Sequence, residues 1–219
     1  ILRGLVGSEM CIRDSHRIMG AVKLLFEGDM DTAIFHHQKA IEICPSDTYH
    51  IARYALLLVY LGDPQKGMDE IKKAMRIDPF CSDLMFEVEG TCHFWLGNYQ
   101  DSINSYKKLK IDTRDSLFYS AACYKKLGNN EKATEILKQA TNTLNMTTDK
   151  FLSSQPLKNE DSKKELQEII KAIFVCVIAE TATVGLFNNR NQNNFGILLL
   201  AFLVLRLITF SLHKVFLNT

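Results

Sequence analysis

Three residue types in this chain recur at one interval. Gly28 and Gly62, Ala40 and Ala74, and Pro45 and Pro79 are pairs at a common spacing of 34 residues. A period of that length belongs to chains built from stacked supersecondary units, none of which can bury its apolar face alone. The series continues with drift: Gly97 comes one residue late and Gly128 three residues early. The shortening follows Tyr106, where Lys107-Lys108-Leu109-Lys110-Ile111-Asp112 stands in place of the helix end and proline of the earlier units. The second helix of the third unit is therefore expected to be clipped.

Each unit reads as a helix pair. In the second, Ile51 to Leu61 is the first helix (A), and Gly62-Asp63 is a turn in which glycine tolerates a left-handed backbone. Pro64 falls in the first turn of helix B, where its missing N–H costs nothing, and Asp78-Pro79 ends that helix after Ile77. Small residues occupy the places where the two helices meet: Ala55, Gly67 and Ala74, with Leu58, Met68, Ile71 and Ile77 filling the gaps. Ala21, Ala33 and Ala40, then Gly90 and Ser102, then Ala121, Ala133 and Ala140 play that part in units one, three and four. Helices that approach to about 8–10 Å admit only slim side chains at the crossing.

On these residues the stretch from Arg17 to Ala140 resembles the tetratricopeptide superfamily. The resemblance implies an all-α solenoid of about four helical hairpins (16–47, 48–82, 83–113 and 114–145) with a capping helix within 146–172, and a scaffold for protein–protein contact rather than an enzyme. A narrower likeness rests on Ala74-Met75-Arg76-Ile77-Asp78-Pro79-Phe80, Gly90 and Trp95-Leu96-Gly97-Asn98-Tyr99-Gln100-Asp101-Ser102-Ile103. It is similar to the repeat tails of bacterial class III adenylate/guanylate cyclases. Those tails also shorten the step into their last unit, and often end in a segment like Thr147-Thr148-Asp149-Lys150-Phe151 and a short polar helix. That likeness implies a regulatory tail of a signalling enzyme, with no catalytic residue to carry over.

Helix A lines the inner surface of such a solenoid. The register places Tyr49, Arg53, Leu56, Tyr60, Glu87, Phe94, Trp95, Phe118 and Lys126 there, along with Val22, Leu25 and Phe26. Aromatic residues with an arginine are typical of interface hot spots, so a protein or peptide partner is expected in this groove. Phe94 and Trp95 could equally pack between neighbouring units. The Lys/Asn pattern of repeats that clamp a chaperone's terminal carboxylate is missing, because the matching places carry Ile18, Val22, Ala52 and Leu56.

Other chemistries find little support. The net charge is +1, from 26 basic and 25 acidic residues, which signals neither nucleic acid nor an acidic membrane surface. No phosphate-binding, zinc-protease or hydrolase motif occurs, and no cofactor is implied. Cys11, Cys44, Cys81, Cys92, Cys123 and Cys176 form no C-x-x-C pair and read as buried thiols in a reducing, cytoplasmic setting. His36-His37 invites a metal reading, but adjacent helical residues point about 100° apart. His93 takes a core position. The lysines at 107, 108 and 110 read as a solvated end face.

The two ends differ from the middle. Leu5-Val6-Gly7-Ser8-Glu9-Met10-Cys11-Ile12-Arg13-Asp14-Ser15 resembles a translated sequencing adapter, so residues 1–15 are expected to be an artefact before a fragment whose true start is missing. Met146 to Asp161 is polar and reads as a connection. The capping helix is expected from Ser162 or Asp161 to Ala172, with Glu165 completing a capping box. Beyond it, 173–219 turns apolar: Ile173 to Phe187, a polar turn at 188–194, then Phe195 to Phe216 broken by Arg206, His213 and Lys214. Phe195–Leu212 approaches the ~20 residues that cross a bilayer. A membrane hairpin or tail anchor, an out-of-frame translation and a buried core helix remain as readings of this tail.

Overall fold

The structure, a computed structural model, describes the backbone over residues 2–188 and the side-chain surroundings over residues 10–178. Every regular element among them is a helix. Four antiparallel hairpins follow one another: α1 (Leu2–Val22) with α2 (Met30–Ile43), α3 (Thr48–Tyr60) with α4 (Pro64–Ile77), α5 (Asp83–Trp95) with α6 (Tyr99–Tyr106), and α7 (Arg114–Lys126) with α8 (Asn130–Leu144). A short α9 (Thr148–Ser153) and a long α10 (Glu160–Asn188) complete the described chain. The last turn of the first helix, Lys23–Glu27, widens to π geometry. Each hairpin packs on the next, α3 touching α4 and α5, and α5 touching α6 and α7, which makes an all-α helical-hairpin solenoid. α10 closes its far end against α7 and α8.

The periodic glycines are the hairpin turns. Gly62 sits at φ 92°, and its N–H bonds the Val59 carbonyl at 2.9 Å while Asp63 N–H reaches back to Leu58 at 3.0 Å. These bonds take up carbonyls that the end of α3 leaves free. Gly28, Gly97 and Gly128 share the left-handed backbone. The residue after the glycine then starts helix B: the side chains of Asp29, Asp63 and Asn129 each accept the N–H three residues on. α6 has 8 residues where α4 has 14 and α8 has 15. Without a proline stop, the chain turns at Lys107 and reaches Arg114 directly, with the Lys110 N–H held by Asp83 at 3.0 Å.

Small residues sit where the helices cross. Ala33, Ala40, Ala55, Ala74, Ala121, Ala133 and Ala140 are all fully buried. Gly67 faces the Ala55 carbonyl so closely that a Cβ there would come within 2.8 Å of it, and a Cβ on Gly90 would come within 2.6 Å of the Tyr106 ring. That crossing is tied by hydrogen bonds: Ser102 Oγ donates to the Gly90 carbonyl at 2.7 Å, and the Thr91 and Tyr106 hydroxyls bond at 3.0 Å. Two apolar clusters form the core. One joins Ile51, Met68, Ile71, Met85, Val88 and Cys92 across α3–α5. The other runs from the end of α3 through α7 and α8 to Leu166, Ile170 and Ile173 of α10.

Several sequence expectations are corrected here. The stretch 146–161 is more than a connection, because it holds α9, whose Phe151 is fully buried. α10 begins at Glu160, one or two residues early, and the Asn159 side chain accepts the Asp161 N–H at 2.9 Å. It also runs unbroken through Ala172 to Asn188, because Ile173 continues the buried stripe of Leu166, Ile169 and Ile170 at helical spacing. Only Cys92 and Cys123 are buried thiols, whereas Cys11 is exposed and the other three are half-buried. His93 is half-buried rather than central, and burial lowers its pKa. Leu2 to Val22 is one helix through the adapter-like residues, with Arg13 paired to Asp47 at 3.2 Å. Among the described residues no helix is long and apolar enough to cross a membrane; the segment 195–216 lies outside them.

His37 is the most displaced titratable group of the first hairpin. It is buried against Gly20, where any Cβ would touch its ring at 3.0 Å, and its Nδ1 has no partner. Burial first, then the nearby His50, Arg53 and His36, push its pKa down to about 4 from 6.5. The unfolded chain therefore takes up a proton near pH 6.5 that the folded chain refuses until about pH 4. Stability must fall as pH drops through that window, by about 1.4 kcal/mol per pH unit and at most about 3 kcal/mol in all. Denaturant unfolding at pH 7 and pH 4.5 is expected to show a smaller loss in His37→Gln than in the wild type. Equal losses would mean that the imidazole is not held neutral.

Candidate partner-binding groove

The inner row of helices, α1, α3, α5 and α7, does not present one continuous groove. It divides at Tyr60. On the N-terminal side lies an open cavity of about 360 Å³ between the first helix pair, α3 and the start of α7. Its walls are apolar, from Ile18, Val22, Leu25, Phe26 and Leu56, and Phe26 is 83% exposed. Its polar edge carries Arg17, Arg53 and Arg114 beside a single carboxylate, Asp115.

The arginines differ in how they are held. Arg53 donates through Nε and Nη2 to the Tyr49 hydroxyl at 3.2 and 3.1 Å, and its guanidinium lies 5.3 Å from the centre of that ring. Arg17 approaches the same ring at 5.8 Å and Asp14 at 3.9 Å, and its Nε is buried without a hydrogen bond. Arg114 forms a close pair with Asp115, at 2.8 Å. Half-buried Glu87 lies outside the residues that line the cavity, near enough to Arg53 and Arg114 to feel their charge. Burial raises its pKa, opposed by the hydrogen bond from Thr113 and by the two arginines nearby. The result is an apolar cleft with a positive rim whose guanidinium groups already stack and donate, at little further entropic cost.

On the C-terminal side the face is covered. Phe151 of α9 stacks on Phe118 of α7, ring centres 4.1 Å apart and 5° from parallel. Residues 154–159 then cross the row as a strap. The Gln155 amide accepts from Tyr119 Oη at 3.1 Å and donates to Asp115 at 3.2 Å, and the Lys158 N–H bonds the Tyr60 carbonyl at 2.8 Å. Leu157 closes over Tyr60 and Trp95 beside a smaller void of about 110 Å³.

The nine residues expected on the groove therefore separate. Tyr49, Arg53 and Leu56 line the open cavity with Tyr60 at its inner end, where only 6% of that side chain is exposed. Glu87 does not line the cavity; it accepts from the Thr113 hydroxyl and feels the charge of Arg53. Phe94, 3% exposed, packs edge-on to Trp95, Tyr99 and Tyr119 between units three and four, and Phe118 is wholly buried under Phe151. Trp95 is half-covered by the strap, and Lys126 is engaged by Glu165 of α10 at 2.6 Å. These four are taken up by contacts within the chain itself. Arg17, Arg114, Asp115, Gln155 and Leu157 belong to the site and escaped the sequence reading. Arg114 and Asp115 stand in the first turn of a unit A helix, which was a usable signal; Gln155 sits in a polar run that carried none. Among the described residues no group of three or more His, Cys, Asp or Glu side chains could hold a metal ion.

Comparison with known proteins places a tetratricopeptide repeat at residues 115–143, which is the α7–α8 hairpin. No curated protein matches the chain. Among solved structures it is similar to a crystal structure of MamA, with 18% identity and a TM-score of 0.47 over 71% of this chain and 92% of that one. A second structure, of MamA protein, gives 18% and 0.49 over 76% and 90%. A tetratricopeptide repeat protein from Parabacteroides merdae ATCC 43184 gives 14% and 0.47 over 78% and 67%.

Proposed function

We propose that this chain is a protein-binding scaffold whose open cavity receives an apolar peptide segment carrying an acidic side chain. One observation supports this above the others: exposed Ile18, Leu25 and Phe26 wall a 360 Å³ cleft lined by three arginines, of which Arg17 and Arg114 have Asp14 and Asp115 beside them and Arg53 is held by the Tyr49 hydroxyl. A solvent-facing cleft of that composition gains from covering its apolar walls. Arg53, anchored on Tyr49 rather than on a carboxylate, is free to pair with an incoming one.

The test is a selection of displayed peptides on the full chain, followed by affinity measurement of the enriched sequences. Enrichment of apolar residues next to Asp or Glu is expected, and Arg53→Ala should weaken the selected peptides about 10- to 100-fold, the usual range for losing a charged contact at a hot spot. Leu25→Asp, which places a charge on the exposed apolar wall, should abolish binding while the helical circular dichroism is retained. Selected peptides that bind both variants as tightly as the wild type would refute the assignment. Tyr60 and Trp95 are poorer choices for this experiment, since both contact the strap.

A further inference from the structure

Beyond Tyr60 the molecule already holds something peptide-like on its inner face, namely residues 147–158 of its own chain. Their attachment differs from that of a repeat. The segment gives the face a few side-chain anchors, Phe151 on Phe118, Gln155 between Tyr119 and Asp115, and Leu157 against Tyr60 and Trp95. Its one main-chain bond to the solenoid runs from Lys158 to the Tyr60 carbonyl. Ser153, Ser154 and Lys158 between and beside the anchors are exposed. α9 has only 6 residues, too few to persist as an isolated helix. A pocket of about 110 Å³ lies beside Leu157, between the strap and the turn at Gly62.

Both ends of the segment are secured without it. α8 is held by its own hairpin with α7 through Ala133, Leu137 and Ala140, and α10 by Leu166, Ile170 and the Lys126–Glu165 pair. Both helices therefore have contacts that do not depend on the strap. Few main-chain bonds, a helix below independent length and exposed stretches between anchors are the marks of a locally weak element.

We propose that this strap is a displaceable ligand held in cis, and that the face beneath it receives a partner segment of the same chemistry. That segment carries an aromatic side chain, a glutamine four positions on and a leucine two beyond. The proposal rests on the reading of the inner face as a partner-binding surface and adds its regulation. While the strap is seated, the face is available only for the fraction of time the strap is open, and the apparent affinity for a partner drops by that fraction. The strap also reaches the open cavity, because Gln155 bonds the same Asp115 that neutralises Arg114. A ligand that prefers one state of Asp115 therefore shifts the strap, and the strap shifts that ligand's affinity by the same factor.

A labelled synthetic peptide of residues 147–159 tests this, titrated into the full wild-type chain, into a Gln155→Ala, Leu157→Ser double variant and into Lys158→Pro, which lacks the bond to Tyr60. The double variant should bind the peptide at least about tenfold more tightly than the wild type, with Lys158→Pro between them. A peptide carrying Phe151→Ser should lose that binding. Hydrogen exchange should speed up at residues 147–158 of both variants and stay unchanged in α3–α8. Equal affinity in all three proteins, absence of binding to both folded variants, or unfolding of both variants would overturn the proposal, the last because the strap would then be core. Arg53→Ala should leave peptide binding untouched, so a failure at the open cavity is distinguishable from a failure at the strap.

Discussion

Replacing Phe151 with alanine is expected to cost about 3–5 kcal/mol, the range for truncating a buried aromatic side chain. The upper part of that range applies because the site cannot collapse. Phe151 is fully buried, lies flat on Phe118 and meets Tyr119 edge-on with ring centres 6.0 Å apart. Both partners are fixed on α7, whose backbone is held in its hairpin with α8. For a chain of this size the midpoint of thermal unfolding should fall by roughly 10 °C. In a solenoid each unit depends mainly on its neighbours, so the loss should concentrate at the C-terminal end. Hydrogen exchange should quicken first at residues 147–158, which Phe151 anchors, before it changes in α3 and α4. Ser153→Ala, two residues on and exposed, is the control and should leave the melting curve within error. A Phe151→Ala protein that melts like the control would show that the strap is not seated in solution.

Ala74→Phe is expected to exceed about 3 kcal/mol, above the usual 1–3 kcal/mol for added methylene groups. Ala74 is fully buried in α4, in one cluster with Ile51, Ala55, Ile71 and Met85. A phenyl ring there must push α4 away from its neighbours, at a crossing where Gly67 already brings α4 against the backbone of α3. Lys72→Phe puts the same ring on the exposed side of the same helix and should shift stability by less than about 0.5 kcal/mol. The comparison removes helix propensity as an explanation, because both variants put phenylalanine in the interior of α4. Equal melting temperatures would disprove the packing register that places every later statement about the inner face.

The hairpins were legible because their causes are local. A left-handed glycine, a side chain that accepts an N–H three residues on and an alanine at the crossing act within one unit, and the 34-residue interval repeats them. Even the shortened α6 follows from a local change, the loss of the helix end and proline after Tyr106. Tyr49, Arg53 and Leu56 were placed on the inner surface by counting along helix A, and they do line a cavity. The count failed to separate them from Phe94 and Phe118, which have the same periodic address and lie in the core.

What the sequence determined alone is the unit: its turn, its slim crossing residues and the register that counts residues toward the inner side. Only the tertiary structure decided which part of that inner side meets solvent. The register can name an inward position, but burial there depends on whether another segment arrives to cover it. That segment is held by single long-range contacts, such as Gln155 to Tyr119 and Lys158 to Tyr60, made by side chains and one N–H in a polar stretch without period. Contacts of that kind leave no repeat to read, because their energy lies in the meeting of two distant residues and in neither one alone.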